Sequence, residues 1–158
     1  MHDRLASRVA VELRKMAHLF ETYADLLTRV NEREPDPVEL AALSQVIQSF
    51  YGGVESIFES VAKLIDQEPP GGPDWHHALL DQMGRPGARR GPVITRGVQA
   101  ELAEYLGFRH VGRHSYVSQL EWSKLRELVR PLPGVWSRFR CETEGFLDRL
   151  RSPESDTP

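Results

Sequence analysis

The chain has a single cysteine, Cys141, among its 158 residues. An intrachain disulfide is therefore excluded, as is a metal site built on several thiolates, and the composition suits a reducing cytoplasm. Lysine is nearly as scarce: Lys15, Lys63 and Lys124 are the only ones, so most of the basic charge is arginine. No apolar run approaches the roughly 18 residues that would span a bilayer. Met1-His2-Asp3-Arg4 lacks the apolar stretch of a signal peptide, so neither a membrane protein nor a secreted one is expected. No alternating run is long enough for a convincing strand, there is no internal repeat, and no glycine-rich phosphate loop follows a strand, which leaves nucleotide hydrolysis unsupported. Charge of one sign is not in excess either. The chain carries 20 Lys plus Arg against 23 Asp plus Glu, a formal net charge of −3, and that average argues against a nucleic-acid partner.

What is present is helical periodicity. A chain of this length buries about two thirds of the surface it would expose unfolded, enough for one hydrophobic core. Apolar residues recur at Leu5, Val9, Leu13, Met16, Phe20, Tyr23, Leu27 and Val30, at the spacing of one long amphipathic helix. Pro35-Asp36-Pro37 stops it, and a second long helix carries Leu43, Val46, Phe50, Val54, Ile57, Val61 and Leu64, running antiparallel after the tight turn. Gly52-Gly53 lies inside it, as a site of close helix approach or a soft spot. Pro69-Pro70-Gly71-Gly72-Pro73 breaks the chain again, and Asp74 is placed to cap a short helix with Trp75, Leu79, Leu80 and Met83 on one face. Residues 84–92 predict a mobile basic loop, and a helix resumes near Thr95 with Val98, Leu102, Tyr105 and Leu106. Beyond Gly107 and Gly112, Leu125, Leu128 and Val129 mark one segment. Pro131 to Gly134 breaks it, and Trp136, Phe139, Thr143, Phe146 and Leu150 mark another. The expected fold is all-α: a five- to six-helix up-and-down bundle, two long antiparallel helices with shorter ones packed across them, as one domain over residues 1–151 with a disordered tail at 152–158.

The charges are not spread evenly. Residues 1–83 hold 7 Lys plus Arg against 14 Asp plus Glu, a balance of −7, and residues 84–158 hold 13 against 9, a balance of +4. Arg85, Arg89, Arg90, Arg96, Arg109 and Arg113 concentrate in the predicted loop and the polar stretch after it. Guanidinium forks match phosphate geometry, whereas a lysine is a point charge. A genome rich in arginine codons, with a loop basic only because it is solvated, would give the same composition.

Arg109-His110-Val111-Gly112-Arg113-His114-Ser115-Tyr116 puts two imidazoles, two guanidiniums, a hydroxyl and a phenol into eight residues. Imidazole gives or takes a proton near neutrality, and a neighbouring guanidinium holds a phosphate and the added charge of its transition state. That combination suits metal-free cleavage of RNA, in which the ribose 2′-hydroxyl attacks the adjacent phosphate; DNA lacks this nucleophile. The pattern Arg-x-x-x-x-His-x-Tyr, with a polar residue directly after the arginine, resembles the signature of HEPN-domain ribonucleases, and specifically the HepT-like toxins. Here it is Arg109, His110, His114 and Tyr116. Tyr51 to Ile57, Pro69 to His76, Leu79 to Met83 and Phe108 to Tyr116 followed by Leu120 look like the same family's running pattern, so the likeness covers roughly residues 5 to 150.

The resemblance implies the toxin of a type II/VII-like toxin–antitoxin system: a metal-independent endoribonuclease of HEPN-like fold, acting on RNA as a homodimer whose two motifs face one cleft. It implies Arg109 and His114 as catalytic residues, His110 and Tyr116 in support, and no cofactor. It also implies a partner, an MntA-like nucleotidyltransferase antitoxin that transfers AMP from ATP onto Tyr116, adding bulk and negative charge beside the catalytic pair. Arg113, Arg85, Arg89, Arg90 and Arg96 are expected to grip the RNA backbone. On an ideal helix Arg109 and His114 lie about 140° apart and His114 and Tyr116 about 160° apart, so the motif does not converge on one straight helix. Either Gly112 breaks the helix or two subunits complete each other.

The alternative from another class is a catalytically silent helical module that binds a nucleotidyltransferase. Blander expectations stand beside both. The Arg109 to Tyr116 cluster would then be a salt-bridged helix end. His110 and His114 have metal-ligand spacing, but a zinc-protease pattern needs Glu where Val111 stands, and no metal is expected. His76 reads as a structural hydrogen-bonder beside Trp75 and His77 as solvated. His18 reads as packed or interfacial, Cys141 as a small filler, and Trp122 and Trp136 as core or interface anchors.

Overall fold

A computed structural model describes residues 1–112 and 120–152, with the backbone alone described at 110–112. Every regular element among the described residues is helical, and no strand forms. The first helix, α1 (His2–Thr22), buries Leu5, Val9, Leu13 and Met16. The single long helix expected to reach Val30 is instead bent. Tyr23 leaves helical geometry at φ −105° and ψ 13°, and α2 (Ala24–Arg29) continues from it, burying Leu26 and Leu27. At the bend the Thr22 hydroxyl donates to the His18 carbonyl at 2.8 Å. Such back-bonding bends helices because it competes for a ladder acceptor.

The second long helix, α3 (Pro37–Val61), starts on a complete capping box. The Glu39 N–H donates to Asp36 at 2.8 Å, the Asp36 N–H donates back to Glu39 at 3.1 Å, and Pro37 occupies a first-turn position that needs no donor. A π-helical turn (Ala62–Asp66) extends α3, and Gln67 ends it in the left-handed region at φ 59°. Phe20 meets Phe50 edge-on at 5.9 Å, and Met16 lies over Gly53, so later residues of α1 face earlier residues of α3 and the two run antiparallel as expected. A Cβ at Gly53 would come within 2.7 Å of the Met16 sulfur, whereas one at Gly52 would meet open space. Of the two glycines, only Gly53 permits close approach.

Around this pair pack α4 (Trp75–Met83), α5 (Arg96–Gly112), α6 (Trp122–Val129) and α7 (Leu132–Arg151). Counting α1 and α2 as one bent helix, the arrangement is the expected all-α bundle. The α3 helix touches α1, α4, α5 and α6. Its Phe50 and Phe58 meet Phe139 at 6.4 and 5.9 Å, and Trp136 stacks on Phe20 at 5.3 Å, which places both Phe139 and Trp136 in the core. Trp122, 9% exposed, is likewise an anchor.

Several local expectations are corrected. Asp74 precedes α4, but its side chain makes no cap bond. The helix after Thr95 runs on through Gly107 to include Arg109. The break at Pro131 to Gly134 is shorter than expected, because Pro133 and Gly134 belong to the first turn of α7, where missing donors cost little. The loop after α4 is pinned: the Arg90 guanidinium reaches Asp66 with two bonds of 2.6 Å and also donates to the carbonyls of Arg85, Gly91 and Gln82. Cys141 is exposed on α7 and not a filler, and His18 is exposed on α1. No helix among the described residues is long and apolar enough to cross a membrane. Of the tail expected at 152–158, all but Ser152 lies outside the described residues.

Candidate functional site

The site is built on one carboxylate in an apolar place. Along α3 and into the π-helical turn, Tyr51, Phe58 and Ala62 form a buried face, and Glu55 stands in the middle of it at 4% exposure. A carboxylate in such a position needs partners, since burying it alone costs several kcal/mol, on the order of its lost hydration. Two other helices supply them. Arg109 of α5 donates from Nη1 to one Glu55 oxygen, and Nδ1 of His76, at the start of α4, bonds the other. The three residues come from segments far apart in sequence, and each of their helices packs on the other two. Because a carboxylate accepts, Nδ1 is the nitrogen that donates to Glu55. The Trp75 ring stacks on His76 with centroids 3.6 Å apart and holds the imidazole plane.

Exposure separates the roles within the cluster. The side chains of His76 and Arg109 are 13% and 18% exposed and Glu55 only 5%, so a ligand can touch the imidazole and the guanidinium while the carboxylate braces both from beneath. One turn before Glu55, the Tyr51 hydroxyl is buried with no hydrogen-bond partner among the described residues. Burial first, and then the Glu55 charge, push that hydroxyl well above the ordinary tyrosine range, while Arg109 acts in the opposite direction. It stays protonated at any physiological pH.

Of the residues singled out in the sequence, Arg109 is in this cluster. His110 follows it on α5, with only its backbone described, and Arg113, His114 and Tyr116 lie outside the described residues. The loop arginines divide. Arg90 is buried, its side chain 1% exposed, and all five guanidinium N–H groups are used within the chain, so it is not available to RNA. Arg85, Arg89 and Arg96 are exposed. Arg85 and Arg96 line a groove of about 510 Å³ between α4 and α5 with His77, Asp81 and Gln99. The Gln99 amide donates to Asp81 at 2.9 Å across it, so this end of the helix pair is joined at Gln99 and the other at Glu55.

Glu55 and the pairing of His76 with it were not foreseen. A signal existed: an acidic residue amid Tyr51, Phe58 and Ala62 at helical spacing reads as a buried charge in need of a cation. Which cation could not be told from α3 alone.

No curated protein and no solved structure matches the chain. A family does, described as HepT-like protein, over residues 42–150, a span that takes in Glu55, His76, Arg109 and the motif through Tyr116. That is more than half of the chain, its order of helices is the one expected for a HEPN-type bundle, and the protein therefore belongs to the HepT-like family.

Proposed function

We propose that the protein is the toxin of a toxin–antitoxin pair: a metal-independent endoribonuclease that acts as a homodimer and is neutralised when an MntA-like nucleotidyltransferase adds AMP to Tyr116. The observation that carries this reading is the bracing of Arg109. Its guanidinium is held by a buried carboxylate at the point where the Arg-x-x-x-x-His-x-Tyr pattern begins. Among the described residues only one of its N–H groups is used, which leaves the rest of the fork for a phosphate. A guanidinium fixed before substrate arrives stabilises the charge of a pentacoordinate phosphorus without reorganising at that moment. Arg109 then binds the scissile phosphate, His114 transfers a proton, and His110 assists. Arg85, Arg89, Arg96 and Arg113 hold the backbone of the RNA.

The test is cleavage of total RNA in EDTA, with growth arrest scored in cells. Wild type is expected to cleave and arrest, and His114→Ala to do neither. Intact RNA with the wild-type protein still binding its nucleotidyltransferase would leave a silent module in place of a toxin. A companion test incubates the protein with ATP, Mg²⁺ and the partner and follows its mass. One or more AMP additions are expected, absent in Tyr116→Phe, and labelling that persists in that variant would move the acceptor elsewhere.

A further inference from the structure

A cavity of about 690 Å³ shares no lining residue with the Glu55 cluster and falls in the range of about 300–1,000 Å³ typical of small-molecule sites. One wall runs from Ile65 to Pro70, at the end of the π-helical turn and just after it, and the other from Arg85 to Arg90, in the loop after α4. Gln82 of α4 ties the walls together. Its amide donates to Asp66 at 2.7 Å and to the Glu68 carbonyl at 3.2 Å, while its own carbonyl accepts from Arg90 at 3.2 Å. A Cβ at Gly87 would come within 3.2 Å of the Asp66 carboxylate, so glycine lets the loop close on that residue, and the Arg90 fork holds it there. The walls are thus fixed before a ligand arrives, yet several groups on them are not engaged. The side chains of Glu68 and Arg89 make no hydrogen bond or ion pair among the described residues, and Arg85 uses only Nε, on the Asp81 carbonyl at 3.3 Å. Gln67, also in the wall, is the one non-glycine residue at positive φ among the described residues, and it follows a π-turn; both features gather at ligand sites.

We propose that this cavity takes one guanine nucleotide of single-stranded RNA, with a phosphate on Arg85 and Arg89 and the edge of the base on the Glu68 carboxylate; this rests on the reading of RNA as the substrate. Guanidiniums on one wall and an unpaired carboxylate on the other suit a ligand that is anionic at one end and a hydrogen-bond donor at the other. Of the four RNA bases, guanine alone has two adjacent donors on its Watson–Crick edge, N1–H and the N2 amino group, and these match the two oxygens of a carboxylate. Adenine and cytosine would turn a ring-nitrogen lone pair toward Glu68, and uracil a carbonyl. Single-stranded RNA splays its bases out, so that edge is open to be read. Pro70 and Pro86, one from each wall, supply apolar surface for a flat base. Arg85 lines both this cavity and the groove between α4 and α5, so a polynucleotide lying along the groove past Arg96 reaches the cavity at Arg85. That continuity favours a residue of a chain over a free nucleotide.

The experiment measures fluorescence anisotropy of the full chain with 2′-O-methyl oligouridylates carrying G, A, C or U at one central position, which the 2′-hydroxyl route cannot cleave. Wild type is expected to bind the G oligonucleotide about 10-fold more tightly than the other three, the discrimination of one bidentate base contact. Glu68→Gln replaces an acceptor by an amide donor and is expected to abolish that preference, turning it toward A, whose edge matches an amide. Arg89→Ala is expected to weaken all four alike, as loss of a phosphate contact does. Free 5′-GMP is expected to displace the G oligonucleotide only at concentrations about 100-fold or more above those at which the unlabelled oligonucleotide does so. Equal binding of all four by wild type would overturn the proposal, and so would a guanine preference that survives in Glu68→Gln. Competition by 5′-GMP as effective as that of the oligonucleotide would overturn the assignment to RNA and make the ligand a free nucleotide. Glu68 is exposed and its carboxylate bonds nothing among the described residues, so its substitution leaves the fold intact. Failure of the ribonuclease reading looks different, since natural RNA would then stay intact in EDTA whatever the four affinities are.

Discussion

Glu55 and Tyr51 sit one helical turn apart on α3, both buried, and loss of their polar groups is expected to have different effects. Glu55 satisfies a guanidinium and an imidazole. Glu55→Gln removes the charge but not the bulk and leaves Arg109 without its counter-ion. With Arg109 partly reached by solvent, the expected loss is about 2–3 kcal/mol, below the value for a fully buried pair, and it is read as a drop in urea midpoint at constant slope. Tyr51→Phe removes a buried hydroxyl that bonds nothing among the described residues. It is expected to leave stability unchanged or raise it by up to about 1 kcal/mol in the same titration. A loss above about 1 kcal/mol in Tyr51→Phe would mean that the hydroxyl has a partner after all. At this scale the motif arginine was legible in the sequence and its brace was not. Arg109 announces itself by spacing to His114 and Tyr116, whereas Glu55 acquires its meaning only from residues 21 and 54 positions away.

Helices were the most legible elements, because apolar spacing and proline breaks are local signals. The bend at Tyr23 was not, since apolar periodicity runs straight through it. The glycine pair inside α3 shows how one element mixes both kinds of information. Gly52→Ala gains helix propensity with nothing in its way, and is expected to stabilise by about 0.5–1 kcal/mol. Gly53→Ala forces a methyl into Met16 and is expected to cost about 1–3 kcal/mol, so thermal midpoints of the two variants should move in opposite directions. At the start of the same helix, Glu39 is held down to about 2 by its hydrogen bonds, first to Arg33 and then to the Asp36 N–H. Its carboxylate is depressed in the folded chain relative to the ordinary value of 4.5, so its contribution is complete above pH 4.5 and is lost as the pH falls toward 2. Glu39→Gln is expected to lower stability at neutral pH and to flatten the acid limb in that window. An unchanged acid limb would show that other carboxylates set it.

Across the whole molecule, the net charge of −3 is the sum of an acidic first half and an arginine-rich second half, and the fold then subdivides the arginines further. Arg90 is withdrawn into the interior by Asp66, Arg138 is engaged by Glu101 at 2.5 Å, and Arg85, Arg89 and Arg96 are left outside. A protein with so few exposed phosphate contacts is expected to bind single-stranded RNA modestly. With Arg85, Arg89, Arg96, Arg109 and Arg113 as the contacts, the slope of log affinity against log salt should be about −3.5, and Arg96→Ala should reduce its magnitude by about 0.7. Fluorescence anisotropy between low and physiological salt measures both. A slope unchanged in Arg96→Ala would remove the groove between α4 and α5 from the RNA path.

The sequence by itself determined the helical class, the two long antiparallel helices, the segregation of charge and the Arg109 to Tyr116 pattern, because each is written in spacing along one segment. Only the tertiary structure decided which buried charges answer one another: Glu55 with Arg109 and His76, and Asp66 with Arg90. The physical reason is that a buried charge is stable only beside its counter-ion. Which counter-ion is nearby depends on how α3, α4 and α5 pack, and so on apolar contacts spread over the whole chain.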